Sequence, residues 1–303
     1  MSTDKPLVLE SLPGEAPRDR YGFVDADRRQ YKLTDAVFPI FKHLQKGILE
    51  LVGTGFFICD NGVFVTARHV LKDAFDEDGN LTHGLSLMHL VTDGHTPSEY
   101  VIRPIVRFAT HWDSDIAVGV PLPATNQTTG ELITNKVLGL SMKAFNPGDK
   151  VITYAYPNTR VESGVVGHNV HCFPAFYEGH VEEFWPKGKG GKLNGNCYQT
   201  SISIHGGASG GPVFGPSGYV HAINSSSFAG MPDLSFVTRI NEILFLDVRD
   251  VFLPESKEPM TAMVVRLAKR GCIVFDEPIM KLDLGDMICD VGPDGELTVG
   301  EQG

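Results

Sequence analysis

From about residue 31 the chain is a succession of short apolar segments cut by Gly, Pro, Asn and Asp, and this rhythm constrains its fold more than any other feature. "ILELVGTGFFICDNGVFVTARHV" reads as three strands in close succession, with "DNG" (60–62) as a tight hairpin turn. Further strands are expected at "YVIRPIVRF" (100–108), "DIAVGVPL" (115–122), "DKVITYAYP" (149–157) and "GVVGHNVHCF" (164–173). The series continues with "YQTSISI" (198–204), "GPVFG" (211–215), "YVHAINSS" (219–226) and "LSFVTRI" (234–240). Many short strands at this spacing predict an all-β barrel or sandwich. Helix is expected only in "HVLKDAF" after residue 68, in "INEILFLDVRDVF" (240–252), and in "MTAMVVRLAKRG" beyond a hinge at "PESKEP" (254–259). A strand-like "CIVFDE" follows.

Residues 1–30 are polar and irregular and read as an N-terminal arm or tail. Residues 254–303 are few for a domain of their own and are expected to dock on the main body as a C-terminal extension. The formal net charge of −11 lacks the concentrated positive face that a nucleic-acid backbone requires, so no nucleic-acid partner is expected. No apolar run approaches the length of a membrane-spanning helix, and the N-terminus has no secretory leader pattern. Five cysteines at irregular spacing, without a CxxC pair, predict reduced thiols and a cytoplasmic location.

Function enters through "IHGGASGGPVF" (204–214), where Ser209 stands among Gly206, Gly207, Gly210 and Gly211. Glycines this dense sacrifice packing and add backbone entropy cost, so the turn needs unusual torsions or close approach. A serine hydroxyl is a weak nucleophile near neutral pH; it needs an imidazole to take its proton and a carboxylate to orient the imidazole. "VTARHV" supplies His69 and "HWDSDIAV" supplies Asp115, directly before an apolar strand. Asp113 is the alternative carboxylate, in a more loop-like setting. The backbone amides of Gly207 and Ser209 are candidates for an oxyanion hole.

"GTGFFI", "VTARHV", "SDIAV" and "GASGGPVF", in the order His, Asp, Ser, resemble the trypsin-like (chymotrypsin-fold) serine peptidases, above all the compact bacterial kind that includes HtrA proteases and glutamyl endopeptidases. The resemblance covers roughly residues 31–250. It implies two antiparallel six-stranded β-barrels, divided near 125–145 within a peptidase domain of residues 31–253. His69 and Asp115 would come from the first barrel and Ser209 from the second. It further implies Ser203 at the base of the specificity pocket, with Ser225, Ser226 and Ser227 along its wall binding substrate backbone. An uncharged Ser203 speaks against Lys or Arg before the scissile bond, and Asn224 stands where glutamyl-specific relatives have His. A small or apolar residue is therefore expected there, subject to His205 and His221. Ala208 replaces the aspartate that pairs with a freed N-terminus in secreted zymogens, so activation by that cleavage is not expected. The C-terminal segment is too short for the PDZ domain common in HtrA proteases.

Other patterns carry less. "GHNVHC" with His168, His171 and Cys172, plus His180, lies on an alternating strand and lacks the paired spacing of a zinc site, so no metal is expected. "DAFDEDGN" (73–80) places Ala74 and Leu85 where a calcium loop needs carboxylates. "PKGKGGK" (186–192) has no Ser or Thr after Lys192, as a phosphate loop would. The expected function is a serine endopeptidase without cofactor, acting on protein or peptide substrates. Control by an activating partner protein, or by movement of the C-terminal segment, remains open. The competing reading is a non-cleaving binding module on a peptidase fold, which an intact triad disfavours.

Overall fold

The computed structural model describes residues 6–12, 20–44, 47–72, 74, 82–91, 99–125, 130, 132–163, 168–188, 195–228, 231–251, 258–279, 281–283, 287–292 and 297–301. Strands β1 (Val8–Ser11), β2 (Tyr21–Val24) and β3 (Gln30–Tyr31) form a small antiparallel sheet. The expected irregular arm is thus structured wherever it is described. Leu7, Leu9, Tyr21 and Phe23 are buried in the main core, and these scattered apolar residues hold the polar segment on the body.

The first closed barrel comprises β4 (Val37–His43), β5 (Leu49–Phe57), β6 (Phe64–Thr66), β7 (Leu85–Val91), β8 (Glu99–Thr110) and β9 (Ala117–Pro121), ordered β4-β5-β6-β9-β8-β7. Its interior is aromatic, with Phe38 against Phe57 at 4.5 Å and against Phe64 at 5.6 Å between ring centroids. Leu49–Phe57 is one nine-residue strand, so the stretch read as three strands holds two and the helix α1 (Arg68–Lys72). Gly53 and Gly55 do not break β5, because its ladder with β4 continues through both.

The second barrel follows from β10 (Lys150–Ala155); the ribbon of β11 (Arg160–Ser163) and β12 (His168–His171) projects before β13 (Ala175–Trp185). With β14 (Cys197–Thr200), β15 (Pro212–Phe214), β16 (Val220–Phe228) and β17 (Met231–Arg239) it closes in the order β10-β13-β14-β17-β16-β15. The chain is therefore all-β in its body, with two antiparallel six-stranded barrels. Strands β4, β7 and β13 were not read from the sequence. Pro39 and Lys42 interrupt the apolar pattern of β4, and Glu178, Glu182 and Glu183 that of β13, whereas β7 has neither proline nor charge and is broken only by Ser86 and His89.

Residues 240–252, expected to be helical, divide instead into a 3-10 turn at Ile240–Ile243 and strand β18 (Asp247–Val251), paired with β19 (Met260–Met263). The helix α2 (Val264–Lys269) buries Val264, Val265 and Leu267 completely. "CIVFDE" is irregular apart from a bridge at Phe275. It docks through Leu140 N–H donating to Val274 O and Asp276 N–H donating to Leu140 O, both at 2.9 Å. β20 (Lys281–Asp283), β21 (Met287–Val291) and β22 (Leu297–Glu301) make a separate three-stranded sheet. Of the weaker motifs, nearly all of 73–80 and residues 189–192 lie outside the described residues. Among the described residues no helix is long and apolar enough to cross a membrane, and no group of three or more His, Cys, Asp or Glu gathers as a metal site.

Candidate active site

His69 stands in the first turn of α1, immediately after β6. Val70 and Leu71 are buried, which turns the His69 side chain outward, 47% exposed. Asp115 lies at the entry to β9 and grips His69 twice. Its Oδ2 is 2.8 Å from His69 Nδ1, and its Oδ1 accepts the His69 backbone N–H at 3.0 Å. A carboxylate on Nδ1 fixes the tautomer that leaves Nε2 as the proton acceptor. Asp113, the alternative, instead directs its backbone N–H at His111 Nδ1, 3.3 Å away.

The loop before Asp115 is braced from the second barrel. His111 Nδ1 accepts the Ser114 N–H at 2.8 Å, and His111 Nε2 faces Glu242 Oε2 at 3.5 Å. Glu242 also accepts from the Ser114 hydroxyl at 3.3 Å and from Asn196 Nδ2 at 3.0 Å. Burial lowers the His111 pKa, and the carboxylates of Glu242 and Asp113 oppose that shift. With Nδ1 accepting the Ser114 N–H, the ring carries its N–H on Nε2, toward Glu242.

Ser209 occupies the turn between residues 205 and 212, and that turn abuts the segment carrying His69. A β-carbon at Gly210 would lie 2.2 Å from Thr66 Oγ1 and 2.8 Å from Ala67 N. Gly207 and Gly210 both have positive φ, +87° and +83°, so the glycines answer both needs inferred from the sequence, torsion and close approach. Around Ser209 the peptides are tied down. The Ala208 N–H donates to His205 O at 3.0 Å, the Gly210 N–H to Asn224 O at 2.7 Å, and the Gly211 N–H to Ala208 O at 3.0 Å. Asn224 Nδ2 adds a second donor to Ala208 O at 3.2 Å. Because the peptide is planar and trans, anchoring Ala208 O aims the Ser209 N–H the opposite way. Among the described residues no acceptor pairs with the amides of Gly207 or Ser209.

Residues 53–223, more than half of the chain, match the model of the trypsin-like peptidase domain. The chain belongs to the trypsin-like peptidases. The substrates of this family are proteins and peptides. Among solved structures it is similar to Deg5, with 18% identity over 69% of this chain and 85% of that one and a TM-score of 0.49. It is also similar to the Rv3671c protease from M. tuberculosis in its active form, at 16% identity, 69% and 78% coverage and a TM-score of 0.44. The MamO protease domain from Magnetospirillum magneticum matches at 18% identity, 69% and 94% coverage and a TM-score of 0.45. Among curated protein sequences none matches.

The residues expected in the specificity pocket of this trypsin-like peptidase take different places. Ser203 is partly exposed, with its Oγ 3.5 Å from His205 Nε2. Ser225 is buried and its hydroxyl pairs with Thr238 Oγ1, so only its backbone is available to a ligand. Ser226 is half-buried, and the Ser227 backbone continues β16. β15 pairs with β16 only as far as Ile223; among the described residues Ser226, Ser227 and Phe228 have ladder partners on β17 alone, and Ser225 sits at the irregularity between Asn224 and Ser226. Asn224 is fully buried and bonds Thr153 Oγ1 at 2.7 Å as well as Ala208, which makes it a brace beneath the turn and not a pocket wall. His221 packs flat on Phe145 at 4.7 Å and lies within the second barrel.

Sequence reasoning missed the braces: Thr54, Thr66, His111, Tyr156, Asn224 and Glu242. Thr54 stands out only as a polar residue inside the apolar strand "GTGFFI", while His111 and Glu242 lie in a loop and a 3-10 turn without even that signal.

Proposed function

We propose that this peptidase is a serine endopeptidase in which Ser209 is the nucleophile, His69 the general base and acid, and Asp115 the group that orients His69. Ser209 Oγ attacks the scissile carbonyl while its proton passes to His69 Nε2. The amides of Gly207 and Ser209 donate to the oxyanion. Collapse of the tetrahedral intermediate breaks the C–N bond, and His69 returns the proton to the leaving amine. Water then enters and attacks the acyl carbonyl while giving a proton to His69; the C–Oγ bond breaks, His69 returns the proton to Ser209 Oγ, and the carboxylic acid product leaves. The chemistry draws on side chains and backbone amides alone.

Substrate binding would fall to Ser203 at the pocket base and to the backbone of Ser225, Ser226 and Ser227, whose open strand edge suits an extended peptide. In this reading residues 31–253 are the catalytic unit, flanked by an N-terminal arm (1–30) and a C-terminal extension (254–303). Among the described residues Cys59, Cys172, Cys197 and Cys272 are not joined in disulfides, which suits a reducing, cytoplasmic setting.

The two hydrogen bonds that Asp115 accepts from His69 carry the proposal, because they fix the imidazole on a segment that abuts the Ser209 turn and leave its Nε2 as the base. The test is intact-mass analysis after fluorophosphonate treatment of wild type and Ser209→Ala. One adduct on wild type, absent from Ser209→Ala, is the expected result. A folded wild type that takes no adduct would reject the proposal for the isolated chain. It would favour a non-cleaving binding module, or a cleft that a partner or the C-terminal segment must open.

A further inference from the structure

Thr54 lies on β5 of the first barrel and is fully buried. Its polar contacts are directed almost wholly at the second barrel. The Thr54 N–H donates to Ser209 O at 2.8 Å, and its γ-hydroxyl donates to Gly207 O at 2.8 Å. The same hydroxyl oxygen accepts the Tyr156 N–H at 3.2 Å. The Thr54 carbonyl accepts from the Thr66 hydroxyl at 2.7 Å, which ties the arrangement to the strand leading to His69. A hydroxyl has a single proton; once that proton is committed to Gly207, a lone pair is left for Tyr156.

We infer that Thr54 is a positioning residue for the oxyanion-binding turn: its γ-hydroxyl holds the Gly207 carbonyl, and with it the whole Gly207–Ala208 peptide, against the first barrel, and so anchors the backbone from which the Gly207 amide is carried through the Gly207 torsions. This rests on the serine-peptidase reading of that turn. Gly207 has φ +87° and no side chain, so its flanking peptides turn at low energetic cost unless they are held. The peptide joining Gly207 to Ala208 has two anchors among the described residues, Thr54 Oγ1 on its carbonyl and His205 O on its N–H. Without the hydroxyl one anchor remains, and the carbonyl and the Tyr156 N–H both lose a partner in a buried place. The Ser209 amide is held independently, through Ala208 O. The stretch that carries the two amides is thus held from both barrels, the Gly207–Ala208 peptide by Thr54 of the first and the Ala208–Ser209 peptide by Gly211 and Asn224 of the second, so its shape is conditional on the barrels being correctly joined.

The experiment compares Thr54→Val, which keeps shape and removes the hydroxyl, with Thr54→Ser, which keeps the hydroxyl. The fluorophosphonate labelling rate is measured per folded molecule, with kcat and KM for a peptide substrate, and thermal melting reports folding. Thr54→Val is expected to slow labelling at least about tenfold and to lower kcat with little change in KM, because the donor acts on the transition state. Thr54→Ser is expected within about threefold of wild type. Equal losses in both variants, or a folded Thr54→Val that labels at the wild-type rate, would overturn the inference. If wild type itself takes no adduct, the catalytic reading fails, and spectra of protein labelled with 15N-glycine still decide the role of Thr54. The Gly207 amide should shift or broaden in Thr54→Val but not in Thr54→Ser, while Gly179 stays in place; an unmoved Gly207 would overturn it.

Discussion

His89 makes the stability of the first barrel depend on pH. It lies on β7, 3% exposed, edge-on to Phe57 at 5.2 Å, and neither ring nitrogen has a hydrogen-bond partner among the described residues. Burial, with the Arg103 guanidinium adding repulsion, brings its pKa from the ordinary 6.5 down to about 3. The folded chain therefore keeps His89 neutral at pH 5, whereas the unfolded chain protonates it. Stability is fully present above the unfolded value and is lost as pH falls below it, until the folded residue also protonates near pH 3. pH 5 lies about 1.5 units below the unfolded value, and at about 1.36 kcal/mol per unit the loss there is about 2 kcal/mol. That is a visible fraction of a typical stability of about 5–15 kcal/mol. Urea unfolding at pH 7.5, 6 and 5 should show it, provided wild type is compared with His89→Leu so that all other titrations cancel. The wild-type loss between pH 7.5 and 5 should exceed that of His89→Leu by about 2 kcal/mol. Parallel curves, within about 0.5 kcal/mol, would refute the reasoning.

Ser209→Ala should lower peptide turnover by about six orders of magnitude, read with a fluorogenic peptide library. Asp115→Asn should cost about four orders, whereas Asp113→Asn should stay near wild type; a reversal would transfer the carboxylate role to Asp113. Gly210→Ala has to accommodate φ +83° and a β-carbon 2.2 Å from Thr66 Oγ1, and denaturant titration should show a loss of at least about 2 kcal/mol. A chain ending at residue 253 removes the wholly buried Val264, Val265 and Leu267 and should be insoluble or unfolded when expressed. A soluble, cooperatively melting product would show that the C-terminal segment is dispensable to the fold.

Much of the site is local in the sequence, because the chemistry needs particular residue types and the turn needs glycines. "VTARHV" placed His69 at a strand–helix junction, and "GGASGGP" placed Ser209 in a turn whose positive torsions at Gly207 and Gly210 only glycine adopts readily. The apolar rhythm likewise carried the all-β class and most strands of the second barrel. It failed where pairing overrides local preference. In β4, Pro39 and Lys42 interrupt the pattern, and "LFLDVRDV" has an apolar spacing that suits either a helix turn or the strand β18.

The choice of Asp115 over Asp113 was open in the sequence, since two residues along a chain separate them but only one carboxylate meets Nδ1 across 46 positions. The braces were invisible for the same reason. Thr54 and Gly207 are 153 positions apart, and Ser114 and Glu242 are 128 apart; neither pair leaves a local signature. What the sequence alone determined is which groups are capable of the chemistry and which turn can present them. Which carboxylate meets His69 depends on contacts within the first barrel, and what holds the Gly207–Ala208 peptide depends on a hydrogen bond across the seam between the two; such contacts exist only once the barrels have closed.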